Sequence, residues 1–415
     1  MLEITPLLEG IAYYRKRLKK LVKEERRHVP LLLAPAKVSV LYQPLGVVGI
    51  VVPWNFPVFL ALSPLIGAIA AGNRVMLKMS EFAPRTGLLL QRIFADIYEE
   101  NEVVAVAGDV DVATAFTALP FDHLVFTGST TVGKIVMQAA AKNLTPVTLE
   151  LGGNSPAIIF DQFPIEEAAD RIAFGKGLNA GQVCVSPDYV LCPNDKVEAF
   201  SAEFVKRIAV AYPDLMENAD YTEIITDRQH QRLQGYLADA AEKGARLIVI
   251  NPNDEDFSES KKMRMTLVIG ATDDMLVMQE EIFGPILPAV GYDTLDNAVG
   301  FVNERPRPLA LYYFDWDQKR AKQVLERTHS GGVCINDTMS HVIADDIPFG
   351  GVGPSGMGHY HGREGFLTFS KAKGVVRKGR INSISFIAPL WRNVIYQMLM
   401  KLNGLRFWRL KVAQV

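Results

Sequence analysis

The sequence predicts an α/β protein of two parallel-sheet domains, and three observations carry that prediction. β-branched apolar runs alternate with helical periods from residue 46 to residue 151, the βαβ pattern of a parallel sheet covered by helices. A second alternation of the same kind begins after Cys184. The length of 415 residues is enough for two or three domains with large cores.

Taken in order, residues 8–28 read as a basic amphipathic helix and residues 36–42 as a strand. Residues 44–73 contain no charge, a run longer than the roughly 20 residues that cross a bilayer. Pro53, Pro57 and Pro64, with Asn55 among them, argue against one continuous helix. The segment therefore reads as a buried strand over 46–52, a functional turn, and a core helix over 65–71. Further alternation predicts helices over 83–99, 112–118 and 132–142, and strands over 103–107, 123–126 and 148–151. Beyond Cys184, strands are expected over 189–192, 246–250 and 264–269, with helices over 197–211 and 229–243. Residues 251–262 are polar and read as a surface loop. The expected division is a cofactor domain over 1–150, a catalytic domain over 151–372 and a tail over 373–415.

Composition narrows the function. Forty-four basic and 46 acidic residues give a net charge of −2, which argues against a nucleic-acid partner. The three cysteines have no metal-ligand spacing and are too few for a disulfide framework. The seven scattered histidines form no ligand set, so no metal is expected. A free thiol fits a reducing compartment, the cytoplasm.

The stretches Thr148-Leu-Glu-Leu-Gly-Gly-Asn-Ser-Pro156 and Gly181-Gln-Val-Cys-Val-Ser-Pro187 place a carboxylate and a thiol in polar, glycine-bearing contexts. A thiolate at Cys184 can attack a carbonyl carbon, and Glu150 can activate water to clear the product. Taken singly, Cys184 is equally a small buried hydrophobe and Glu150 a solvated charge. Asn55 falls just past a predicted strand end, where α/β proteins hold ligands. Its amide suits the oxyanion formed when a thiolate adds to an aldehyde, although an isolated Asn here is also an ordinary turn residue. In Gly128-Ser-Thr-Thr-Val-Gly133, Gly128 permits a tight turn and Ser129 can cap a helix whose N-terminus favours a pyrophosphate.

These segments occur with others in a fixed order. Pro53-Trp-Asn-Phe-Pro57, Leu77-Lys-Met-Ser-Glu81, Phe126-Thr-Gly-Ser-Thr-Thr-Val-Gly133, Leu149-Glu-Leu-Gly-Gly153, Gly181-Gln-Val-Cys184, Glu280-Glu-Ile-Phe-Gly-Pro285 and Pro348-Phe-Gly-Gly-Val-Gly353 resemble the aldehyde dehydrogenase superfamily over residues 10–375. Pro354-Ser-Gly-Met-Gly-His-Tyr-His-Gly362 is most similar to its class 3 and coniferyl-aldehyde dehydrogenase branch. The resemblance implies a variant Rossmann cofactor domain, a catalytic domain and a small oligomerisation element that includes the strand near 36–42.

It also implies NAD as cofactor, with NADP as an alternative, and a homodimer. The substrate implied is a hydrophobic aldehyde, aromatic of the coniferyl type or medium-chain. Catalysis would fall to Cys184, Glu150 and Asn55, through a thiohemiacetal and a thioester on Cys184. Trp54 and Ser129 would meet the pyrophosphate, Lys78 and Glu81 the adenine ribose, and Glu281 the nicotinamide ribose, with Phe283 near the nicotinamide. Val52, Pro53, Gly108, Gly128, Thr130, Thr131, Val132, Gly133, Leu151 and Gly152 complete the cofactor site so implied. A carboxylate at Glu81 accepts from a ribose 2′-hydroxyl and repels a 2′-phosphate.

Met79 and Asn154 depart from the proline and lysine common at those positions. Relatives carry several dozen more residues ahead of the Pro-Trp-Asn motif, so the resemblance implies a shortened N-terminus, natural or by truncation. Two functions compete with the dehydrogenase: a catalytically silent binding paralogue, and a cysteine acyl-transfer enzyme without nicotinamide chemistry. After Glu364 the chain has ten Lys and Arg and no acidic residue. That tail is expected to dock on protein rather than on a membrane surface.

Overall fold

The computed structural model describes residues 3–30 and 33–380, with Val394, Met398 and Lys401. Among the described residues two compact units emerge, one within 1–18 and 44–369, the other within 19–43 and 370–415.

The chain opens with α1 (Ile4–Leu21), β1 (Glu25–Arg27) and β2 (Lys37–Pro44). Helix α1 stops at Leu21 rather than continuing to residue 28, because residues 25–27 pair antiparallel with Val38–Val40 of β2. Cross-strand pairing there overrides the helical period. There follow β3 (Val47–Val51), α2 (Phe59–Ala70), β4 (Arg74–Lys78), α3 (Pro84–Ile97), β5 (Val103–Val106), α4 (Val110–Thr117), β6 (His123–Thr127), α5 (Thr130–Ala141) and β7 (Val147–Glu150). These strands lie in the order β7-β6-β3-β4-β5, all parallel.

The first strand of this series, β3, thus sits mid-sheet, with its successors β4 and β5 on one side and β6 and β7 on the other. The order reverses between β3 and β6, and such a switch point opens a crevice at the C-terminal strand ends. Val48, Ile50, Leu124 and Val125 at the sheet centre are buried.

Helix α2 corrects one expectation. It begins at Phe59 and contains Pro64, whereas the proline was expected to delay the helix to residue 65. Proline forfeits one backbone bond in a helix, but Phe59, Leu60, Ala61, Leu65 and Ala68 are all buried around it, and that apolar burial outweighs the loss. No helix among the described residues is long and apolar enough to cross a membrane.

The second sheet is built from β8 (Pro156–Ile159), α6 (Ile165–Gly177), β9 (Tyr189–Pro193), α7 (Val197–Ala211), α8 (Asp227–Glu242), β10 (Arg246–Val249), β11 (Thr266–Ile269), α9 (Leu276–Gln279), β12 (Ile286–Tyr292), α10 (Leu295–Asn303), β13 (Ala310–Phe314), α11 (Gln318–Arg327) and β14 (Gly332–Ile335). Its order is β10-β11-β12-β9-β8-β13-β14, parallel except for the β10–β11 pair. The sheet therefore starts at Pro156, ahead of Cys184, and not after it as the alternation suggested. Strand β8 is only four residues long and wholly buried, too short to show a period.

The chain then adds β15 (Gly356–Met357), α12 (Gly362–Thr368) and β16 (Ser370–Arg377). β15 pairs antiparallel with β7, Gly356 opposite Glu150. In the second unit, β1, β2 and β16 form a three-stranded sheet, tied by Arg377 donating to Glu24 and to Ser39 Oγ. The expected docking of the tail over 385–415 falls outside the described residues, Val394, Met398 and Lys401 excepted.

Candidate active site

The residues expected to hold a cofactor gather at the C-terminal ends of the first sheet. Val52, Pro53 and Trp54 follow β3, Lys78 ends β4, Gly108 follows β5 and Gly128 follows β6. Val52 N–H donates to the Lys78 carbonyl (3.0 Å), joining two of these ends. Ser129 caps α5, its hydroxyl accepting from Val132 N–H (3.4 Å), while Gly133 N–H donates to the Ser129 carbonyl. Thr130 and Thr131 N–H then lie in the first turn, where a helix has no intrahelical acceptor and favours an anion. Thr130 Oγ1 donates to the Pro354 carbonyl (3.1 Å). Leu151 is buried beneath Gly133, so its side chain packs rather than faces the cleft.

Lys78 Nζ and Glu81 Oε2 are 2.9 Å apart, Lys78 nearly buried and Glu81 about one-third exposed. Burial pushes the Glu81 carboxyl up, but the Lys78 hydrogen bond and charge prevail and hold it below its ordinary value. An ionised Glu81 at the mouth of the crevice matches a ribose hydroxyl.

Opposite these ends, the turn before β12 brings Glu281 and Phe283 over the first sheet. Glu281 Oε1 accepts from Gly153 N–H (3.2 Å). A Cβ at Gly152 would lie 2.0 Å from Glu281 Oε2, so only glycine permits this approach. Phe283 adopts φ +49°, a sparsely populated conformation for a bulky residue, and its ring meets Trp54 edge-on at 5.5 Å. Behind Glu281 lies a pair the sequence did not single out: Lys176 Nζ is 3.7 Å from Asp188 Oδ1, both buried. Loss of hydration, then the Asp188 charge, raises Glu281 to about 8.

Cys184 is delivered by a left-handed turn after α6. Asn179, Ala180 and Gly181 take φ of +51°, +51° and +74°. A Cβ at Gly181 would lie 2.2 Å from the Gly284 carbonyl oxygen, so the thiol loop and the Glu281–Phe283 turn are in direct backbone contact. Gln182 staples the loop from the other side: its amide donates to the Asn179 and Glu223 carbonyls and accepts from Ile225 N–H. Asn55 Nδ2 donates to the Gln182 carbonyl (3.1 Å), and Asn179 Nδ2 bridges the Asn55 and Gln182 carbonyls. One Asn55 N–H is thus engaged two residues from the thiol, and an amide carries two. Asn179 and Gln182 are contributions the motif reading missed, although both lie beside Cys184 in the sequence.

Cys184 and Glu150 line one cavity of about 320 Å³, walled by Phe56, Phe59, Leu60, Phe174, Val183 and Tyr360 among others. Its size is at the small end of the roughly 300–1,000 Å³ usual for ligand pockets. Both Glu150 carboxylate oxygens are buried without a protein hydrogen-bond partner. Burial raises the Glu150 carboxyl well above its ordinary value. Burial, then the Glu281 and Glu150 charges, push the Cys184 thiol up to about 12, against the pull of the Cys184 and Val185 N–H groups. A carboxylate left bare in an apolar cavity wants a polar ligand or water.

The comparisons with known proteins fit this geometry. The sequence model of the aldehyde dehydrogenase family matches residues 1–375. The chain belongs to the aldehyde dehydrogenase family. It is 58% identical to a probable coniferyl aldehyde dehydrogenase of Pseudomonas aeruginosa over 96% of this chain and 83% of that one. Its fold is similar to the substrate-bound state of AldH from Staphylococcus aureus, with TM-score 0.89 and 38% identity over 97% of this chain and 86% of that one. It is also similar to a Mycobacterium tuberculosis aldehyde dehydrogenase complexed with NAD+, with TM-score 0.83 and 30% identity over 92% and 78% of the two chains. The protein is accordingly an enzyme of the aldehyde-oxidising type.

Proposed function

We propose that the protein oxidises a hydrophobic, coniferyl-type aldehyde to its carboxylic acid with NAD, using Cys184 as nucleophile, Asn55 as oxyanion donor and Glu150 as base. The observation that carries this reading is the single apolar cavity that contains both the Cys184 thiol and the unpartnered Glu150 carboxylate. The aromatic wall supports a ring-bearing substrate, as does the name of the Pseudomonas relative.

The residues at the crevice suit a dinucleotide. The open first turn of α5 would take the pyrophosphate, Lys78 and Glu81 the adenine ribose, and Glu281 the nicotinamide ribose beside Trp54 and Phe283. When bound, NAD supplies the oxidant, a nicotinamide ring that accepts hydride. The lobe boundary proposed is Glu150, where β7 of the first sheet ends.

In the sequence of events, the Cys184 thiol yields its proton to solvent, its sulfur forms a bond to the aldehyde carbon and the carbonyl oxygen becomes an oxyanion. The second Asn55 N–H and the Cys184 backbone N–H stabilise that charge. Oxidation leaves a thioester on Cys184. Glu150 takes a proton from water, the water oxygen adds to the thioester, and the thiolate departs as the acid is released.

Asn55→Ala is expected to slow hydride formation by about 10²–10³, the usual loss for one oxyanion donor. A rapid-mixing trace of NADH formation checks this, and a near-normal rate would remove Asn55 from the mechanism. Glu81→Gln is expected to raise kcat/KM with NADP relative to NAD by about tenfold, because it removes the charge facing a 2′-phosphate. An unchanged ratio would place cofactor choice elsewhere.

A further inference from the structure

Helix α2 starts four residues after Asn55, yet it has no side-chain cap of its own. Asn55, the polar side chain just ahead of the helix, is instead committed to the Gln182 carbonyl. Two donors at its start are satisfied from far along the chain. Glu3 Oε2 accepts from both Val58 N–H and Phe59 N–H, each at 2.8 Å. A carboxylate is the strongest acceptor for such donors, and its charge complements the helix dipole.

Glu3 is itself held in place. Leu7, one helical turn further along α1, is buried against Phe59 and Leu60, and Pro6 joins the wall of the Cys184 cavity. Tyr13 donates to Asp346 (2.6 Å) and Tyr14 to the Gly362 carbonyl (2.7 Å). The start of α1 therefore bears on the segment that carries Asn55, Phe56 and Phe59.

We propose that Glu3 is a positioning residue for acylation: by capping α2 it fixes the turn over residues 55–59 and keeps the Asn55 amide beside Cys184. This rests on the role assigned above to Asn55. Without the cap, two N–H groups at the helix start lose their acceptor, the turn frays, and the amide drifts. A displacement near 1 Å at an oxyanion donor is costly to rate. Most of the cofactor crevice, at the ends of β4, β5 and β6, lies outside this turn, so NAD binding should change little.

The test is the rate of the first NADH turnover per titrated thiol, in the 415-residue chain, with both a small aliphatic and an aromatic aldehyde. Glu3→Ala is expected to slow acylation about tenfold with both aldehydes, with NAD affinity within about twofold of the parent. Glu3→Gln keeps an oxygen that accepts both bonds and should restore the rate. Glu3→Asp keeps the charge but withdraws the oxygen by one methylene, and should be slow. Val324→Ala, in the buried core of the second sheet and away from this cap, should lower thermal stability while leaving the per-site rate near the parent value. In the double variant with Asn55→Ala, Glu3→Ala should add no further loss. Parent-like acylation in both Glu3→Ala and Glu3→Asp would overturn the proposal. So would full additivity with Asn55→Ala, or an equal loss in Val324→Ala. An Asn55→Ala variant with normal acylation would instead sink the oxyanion assignment itself, so the two failures are read separately.

Discussion

Cys184→Ala is expected to abolish aldehyde oxidation, with turnover reduced at least about 10⁴-fold, while NAD affinity stays nearly intact. Removing the nucleophile of a covalent mechanism leaves no alternative route for the carbonyl carbon. The cofactor crevice is formed by the ends of β3 to β6 and by Glu281 and Phe283, and the thiol contributes little to it. Cys192 and Cys334 are buried and do not line the cavity, so their alanine variants should remain active. A steady-state NADH assay across the three variants, with NAD titrated by fluorescence, checks the set. Substantial turnover in Cys184→Ala would refute the mechanism.

Glu150→Gln should separate the two half-reactions. A glutamine preserves shape but cannot take a proton from water, so an initial burst of NADH should be followed by steady-state turnover slowed by about 10²–10⁴. The pH dependence follows from the environment. Burial holds the Glu150 carboxyl well above its ordinary value, so the group is protonated, and idle as a base, at mildly acid pH. Deacylation should then rise with pH through a range above that of ordinary carboxylates, and the glutamine variant should lose this rise. If burst and steady state fell together, Glu150 would be acting on the thiol or the substrate instead.

The parts of this account that were legible in the sequence are those encoded locally. The β3 to β7 alternation is legible because each strand and helix shows its own period, and the Cys184, Glu150 and Asn55 motifs because each is a contiguous run. What was not legible depends on contacts between distant segments. The Asn55 amide is oriented by the Gln182 carbonyl, 127 positions away, and no period signals that bond. Glu3 lies ahead of the predicted first helix and shows no local sign of its bonds to Val58 and Phe59 N–H, 55 and 56 positions away. The early end of α1 reflects pairing with β2, and the tolerance of Pro64 reflects burial around α2. In both, tertiary packing decided against local propensity.

The central claim is that Cys184 carries the acyl group, and intact-protein and peptide mass spectrometry tests it most directly. Glu150→Gln protein is mixed with NAD and an aromatic aldehyde, quenched in acid during the burst, and digested. The mechanism predicts an added acyl mass of the aldehyde less one hydrogen in exchange for the thiol proton, on the peptide containing Cys184 alone. An unmodified Cys184 peptide despite an NADH burst, or acylation of Cys192 or Cys334 instead, would contradict it.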